Sequence, residues 1–182
     1  PDKSCSIRAL IFASICIGKT EIKNLLTSKD VLDSVRALQK LGVKITRSND
    51  GRIYNVYGNG LNSFRTDKKI KLWCGNSGTF LRLICGALAT QPGGRYYLHG
   101  DKSLNSRDMS RIITPLEKVG AFFYPKGKKT LPLTIEGTTM PLAQNHIHSL
   151  GSSQVKSSLF LSFLGCQGIS TLTELRPSRT HS

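Results

Sequence analysis

Residues 75 to 89 read Gly75-Asn76-Ser77-Gly78-Thr79-Phe80-Leu81-Arg82-Leu83-Ile84-Cys85-Gly86-Ala87-Leu88-Ala89. Two glycines among small polar residues make a turn, and the apolar run behind them predicts a helix over 80–90. A turn at a helix start leaves backbone N–H groups without partners and aims the positive end of the helix dipole at one point, which suits an anion. The arrangement occurs twice more. Lys3-Ser4-Cys5-Ser6-Ile7-Arg8 precedes the apolar Ala9 to Ile17, and Ser152-Ser153-Gln154-Val155-Lys156-Ser157 precedes Leu159 to Leu164. Each is expected to be a polar turn that opens an apolar helix.

Recurrence about every 75 residues marks an internal repeat. The best self-match has an offset of 78 and lays Ser28-Lys29-Asp30 through Leu41-Gly42-Val43 over Ser106-Arg107-Asp108 through Val119-Gly120-Ala121. Both segments read as a helix that stops at glycine and passes into a strand. An offset of 150 lays Gly18 to Ile22 over Gly168 to Leu172 and Ser28-Lys29-Asp30 over Ser178-Arg179-Thr180. The expected units are about 1–74 and 75–150, with 151–182 a truncated third. In each, a turn leads through an apolar helix, a strand, an amphipathic helix and two strands. This is an α/β (α+β) class rather than a bundle or a sandwich.

The 182 residues are 38% apolar, enough for a packed core, and 26 basic against 11 acidic residues give a net charge of +15. Such an excess suits phosphate-bearing partners. The lysines are dispersed rather than gathered in one tract with interleaved aromatics, so nucleic acid is not the expected partner. Five cysteines without a CxxC pair fit a reduced, cytoplasmic protein. No segment is long enough to span a membrane. Ile7 to Ile17 has no clear cleavage site behind it and is not read as a secretory leader. The four histidines show no ligand spacing, so neither a metal nor another cofactor is expected.

In order along the chain stand Lys3-Ser4-x-Ser6-x-Arg8-Ala9-Leu10, Gly75-Asn76-Ser77-Gly78-Thr79 with Arg82, Gly100-Asp101-x-Ser103-Leu104-x-x-Arg107-x-Met109, Ser153-Gln154-Val155-Lys156-Ser157, and Glu174-x-x-x-Ser178-Arg179-x-His181. This series resembles the EPSP synthase (3-phosphoshikimate 1-carboxyvinyltransferase) family. The resemblance implies two similar domains of three βαβαββ units each, with both substrates held in the cleft between them. These residues would make most of one domain, with the second absent. It further implies transfer of the enolpyruvyl group of phosphoenolpyruvate to the 5-hydroxyl of shikimate 3-phosphate, in the route to chorismate and the aromatic amino acids, without a cofactor.

By that resemblance Lys3 touches both substrates. Ser4, Arg8, Ser152, Ser153, Gln154 and Arg179 bind shikimate 3-phosphate, and Asn76, Gly78, Thr79, Arg107 and Gln154 bind phosphoenolpyruvate. The residues of proton transfer belong to the other domain, so no catalytic residue is expected here and the piece is expected to be inactive alone. It would stand as a truncated gene product or as half of a split enzyme with a complementing chain. A cut third unit is also expected to leave apolar surface uncovered.

Each residue has a plainer reading. Gly75 and Gly78 also fit a tight turn, and Ser152 and Ser153 fit helix caps. Arg107 also fits a surface pair with Asp108 or Asp101. Asp108 stands where the family has proline, and is expected to neutralise part of the Arg107 charge. Cys5, Ile7 and Thr180 also depart from the family pattern. Two further functions compete: an enolpyruvyl transferase for a nucleotide sugar, and a basic nucleic-acid-binding module.

Overall fold

A computed structural model describes residues 1–149 and 151–178. The first repeat holds α1 (Lys3–Ile15), β1 (Ile17–Lys23), α2 (Lys29–Lys40), β2 (Lys44–Arg47) and β3 (Ile53–Asn59). The second begins a few residues before the expected Gly75, and the remainder likewise before 151, because each opens on a strand paired within its own set; the second holds β4 (Ile70–Trp73), α3 (Gly78–Ala89), β5 (Arg95–His99), α4 (Lys102–Asn105), α5 (Ser110–Val119), β6 (Phe122–Tyr124) and β7 (Leu133–Glu136). The remainder is β8 (Asn145–His148), α6 (Ser153–Phe163) and β9 (Thr171–Glu174).

The repeat is visible in the strand order. One sheet runs β1-β3-β2, and the next runs β4-β5-β7-β6 with the same antiparallel arrangement in its last three strands. β4 pairs parallel to β5 and β8 pairs parallel to β9, so the third set opens like the second. Gly42 and Gly120, at matching places, adopt φ of +94° and +115° as α2 and α5 end, a region that glycine enters without strain. Gly58 of β3 lies against the carbonyls of Ala13 and Cys16 at the end of α1, and Gly137 lies in the same way against Leu88 and Gln91 at the end of α3.

The helix starts differ from the sequence reading. α1 begins at Lys3 rather than Ala9, because the Asp2 carboxylate accepts the Cys5 N–H at 2.8 Å and caps it. α6 likewise begins at Ser153. The polar residues of the first and third motifs are therefore the opening turns of the helices and not loops before them. Only Gly75 to Ser77 forms a true turn, with the Ser77 hydroxyl accepting the Phe80 N–H at 3.1 Å. The short α4 and the strand β8 carry no repeat signal in the sequence, although Asp101 caps α4 through the Leu104 N–H.

Every residue of α3 except Arg82 is buried, as befits a helix that is apolar on all sides. α1, α6 and the amphipathic α5 pack on it, while the amphipathic α2 covers α1 from outside. The closest approach is at Gly86, where a Cβ would strike the backbone carbonyl of Ser158 in α6. At the far ends of α1 and α6 the exposed Phe12, Phe160 and Leu164 line an apolar groove of about 340 Å³ with Phe163. Gly86→Ala is expected to lower the stability of the chain by about 1–3 kcal/mol through overpacking, seen as a lower urea midpoint at unchanged slope.

Candidate functional site

α1, α3 and α6 start at Lys3, Gly78 and Ser153, each 75 residues after the last, and their N-terminal turns meet. Gln154 joins α6 to α3: its Nε2 donates to Thr79 Oγ1 at 3.0 Å, and its Oε1 accepts from Arg82 Nη1 at 2.8 Å. Ser157, one turn on, joins α6 to α1 by accepting from Arg8 Nη2 at 3.4 Å. Arg8 also donates to the Ser4 hydroxyl. Arg107 Nη2 donates to Asn76 Oδ1 at 3.0 Å. Gly78 sits between two guanidinium groups, since a Cβ there would lie 2.8 Å from Nη1 of both Arg82 and Arg107.

Beside this junction, Arg82, Arg111 and residues 151 to 155 line a cavity of about 510 Å³. The local field is strongly positive. Burial first, and then the charges of Arg107 and Arg111, hold Arg82 below the usual arginine range. Burial does the same to Arg8, which is only 7% exposed and whose Nε has no partner among the described residues. The nearby carboxylates are occupied elsewhere. Asp33 takes Arg36 and the Trp73 N–H, Asp101 caps α4, Asp108 takes the Ser110 N–H and hydroxyl, and Glu174 takes Lys156 at 3.0 Å. Among the described residues no carboxylate pairs with Arg8, Arg82, Arg107 or Arg111. Asp108, expected to neutralise part of the Arg107 charge, forms no ion pair with it and bonds to Ser110 instead.

Ser4, Arg8, Thr79 and Gln154 thus belong to one hydrogen-bonded junction, with Asn76, Gly78 and Arg107 along its α3 side and Ser152 and Ser153 in the cavity wall. Lys3 turns away to Asp30 of α2, at 3.0 Å on an exposed edge. Arg179 lies outside the described residues. Arg82 and Arg111 are the residues that the sequence reading did not assign. Arg82 stood in a quoted motif, and its being the one charged residue in an apolar helix was the available signal; Arg111 offered none. Among the described residues no three His, Cys, Asp or Glu side chains gather as a metal site, and no helix is long and apolar enough to cross a membrane.

The sequence pattern of EPSP synthase (3-phosphoshikimate 1-carboxyvinyltransferase) matches residues 1–182. The chain belongs to the EPSP synthase family. A 3-phosphoshikimate 1-carboxyvinyltransferase of Magnetococcus marinus is 40% identical across the whole of this chain, and one of Nitrobacter winogradskyi is 41% identical. The solved EPSP synthase of Acinetobacter baumannii superposes on 99% of this chain with a TM-score of 0.89 at 34% identity. The chain spans about 40% of the length of each of these EPSP synthases.

Arg82, Arg107 and Arg111, close together and without a carboxylate partner among the described residues, repel one another until an anion arrives. Added inorganic phosphate is therefore expected to raise the thermal midpoint of the chain, following the linkage between ligand binding and stability. Arg82→Met is expected to abolish that rise while leaving the midpoint in phosphate-free buffer no lower than that of the parent.

Proposed function

We propose that this chain supplies the shikimate 3-phosphate site and part of the phosphoenolpyruvate site of an EPSP synthase. The observation that carries the reading is the junction of three helix N-termini around the buried Arg8 and the half-buried Arg82, neither of which has a carboxylate partner among the described residues. Arg8 and Arg179 are assigned to the phosphate of shikimate 3-phosphate, since a guanidinium grips a phosphate through two parallel hydrogen bonds. Ser4, Ser152, Ser153 and Gln154 are assigned to its ring hydroxyls and phosphate oxygens. The Nε of buried Arg8, which has no partner among the described residues, supports this division.

Phosphoenolpyruvate is assigned to the other side of Gln154. Gly78, lacking a side chain, lets an anionic group reach Arg107, with Arg82 adjacent and Asn76 and Thr79 framing the approach. Lys3 lies at the start of α1 and is assigned to both substrates; its exposed pair with Asp30 is of the kind that costs little to open. Holding two phosphates and a carboxylate together against their repulsion is the main task of such a site, and fixed cations and helix ends perform it before the reaction begins.

In the reaction, the 5-hydroxyl gives up its proton as its oxygen bonds to C2 of phosphoenolpyruvate and C3 gains a proton, giving a tetrahedral intermediate. C3 then loses a proton and the C2–O bond to phosphate breaks, leaving the enolpyruvyl ether and inorganic phosphate. The carboxylate and lysine that the family resemblance assigns to proton transfer are not among these residues. Turnover is therefore proposed to need the rest of the relatives' length, in one polypeptide or in a complementing chain. Five free thiols support a reducing, cytoplasmic setting.

Calorimetry is expected to detect shikimate 3-phosphate binding and no binding of a nucleotide sugar. Loss of one charge-assisted hydrogen bond in Arg8→Ala, or of the bridging amide in Gln154→Ala, is expected to weaken that binding about tenfold or more. Equal binding by both variants rejects the assignment. These 182 residues alone are expected to give no product from shikimate 3-phosphate and phosphoenolpyruvate, measured as phosphate release, and release above background overturns that expectation.

A further inference from the structure

His148, the last residue of β8, is 2% exposed, and its Nε2 lies 3.0 Å from the backbone nitrogen of Ser152. A backbone N–H can only donate, so the ring nitrogen accepts and the ring proton sits on Nδ1. The other option has Nε2–H donating to the Ser152 carbonyl at 3.2 Å. That carbonyl already accepts the Lys156 N–H at 3.1 Å, and the option would set two donors, the ring N–H and the Ser152 N–H, against each other.

The consequence falls on the Ser152 hydroxyl. At the other two helix starts the N-cap side chain is spent on the cap: Asp2 accepts the Cys5 N–H and Ser77 accepts the Phe80 N–H. Ser152 is the N-cap of α6, yet its side chain forms no cap bond, and it lines the cavity beside Arg82 and Arg111. Its backbone N–H, one of the four that a helix start leaves without partners, is met by His148 instead. His148 is itself anchored, because its carbonyl accepts the Leu175 N–H at 3.0 Å from the end of β9. Between the two residues the chain turns through Gly151 at a φ of +58°, a geometry that suits glycine and needs fixing from both ends.

We infer that His148 is a positioning residue of the ligand site: through Nε2 it holds the Ser152 backbone and so keeps the Ser152 hydroxyl turned to the cavity for an oxygen-rich, anionic ligand. The inference rests on the assignment of Ser152 and Gln154 to shikimate 3-phosphate, and it adds a residue from a different element, β8, that touches no ligand. Glu174, opposite His148 in the parallel pair, is taken by Lys156 and Ser178, and His146 stacks at 6.2 Å. Neither replaces the histidine as acceptor for Ser152.

Nitrogen-15 NMR of the unaltered chain tests the hydrogen bond directly. The expected result is an unprotonated Nε2, a protonated Nδ1 and a slowly exchanging Ser152 amide. A protonated Nε2 overturns the inference. Gln places its amide oxygen where Nε2 stands, whereas Leu has no acceptor. His148→Leu is expected to speed exchange at Ser152 and weaken shikimate 3-phosphate binding about tenfold, and His148→Gln to restore both to within about twofold of the parent. Equal weakening by Gln and Leu would show a packing role only and also overturns it. Should the parent chain fail to bind shikimate 3-phosphate while the NMR results hold, the assigned ligand is wrong and the positioning of Ser152 stands.

Discussion

The contact on which the site depends is the backbone approach of α3 to α6 at Gly86. With no side chain at that point, the Ser158 carbonyl lies against the glycine and the Ser158 hydroxyl donates to the Arg82 carbonyl at 2.6 Å. This fixes both the separation and the register of the two helices. One turn earlier in α6, Gln154 is then within reach of Thr79 and Arg82, and its amide satisfies a donor and an acceptor at once. Move the helices apart by the width of a methyl group and the amide spans nothing. A packing constraint deep in the core thereby sets a hydrogen-bond geometry at the molecular surface.

Electrostatics at the junction runs against stability. Half-burying the Arg82 guanidinium beside those of Arg107 and Arg111 costs free energy, and an ordinary core would offset the cost with a carboxylate. Here the carboxylates face elsewhere: Asp108 folds back on Ser110, and Glu174 serves Lys156 and Ser178. The arginines keep their charge because the guanidinium is too basic to lose its proton. A preorganised positive field of this kind favours an anion because the repulsion has already been met during folding.

Much of this could be read along the chain. The glycine that ends α2 and its counterpart after α5 announced themselves by position, since only glycine sits easily at positive φ. The apolar run after Gly78 marked the central helix. The helix starts were harder, because serine and lysine near Arg8 read as loop residues until Asp2 is seen to cap them. Arg111 could not be found at all. It joins the cavity only because α5 packs beside α6, and such contacts leave no trace in local spacing. His148 shows no telling spacing along the chain, and its tie to Ser152 depends on the turn at Gly151.

The repeat, the order of the elements other than α4 and β8, and the membership of the EPSP synthase family were determined by sequence alone, because helix and strand periodicity and turn residues act over a few neighbours. Which polar groups converge was decided by the tertiary structure. Gln154 and Thr79 are 75 residues apart in the chain, and Arg8 and Ser157 are 149 apart. Only the packing of three helices around α3 brings them within hydrogen-bonding distance.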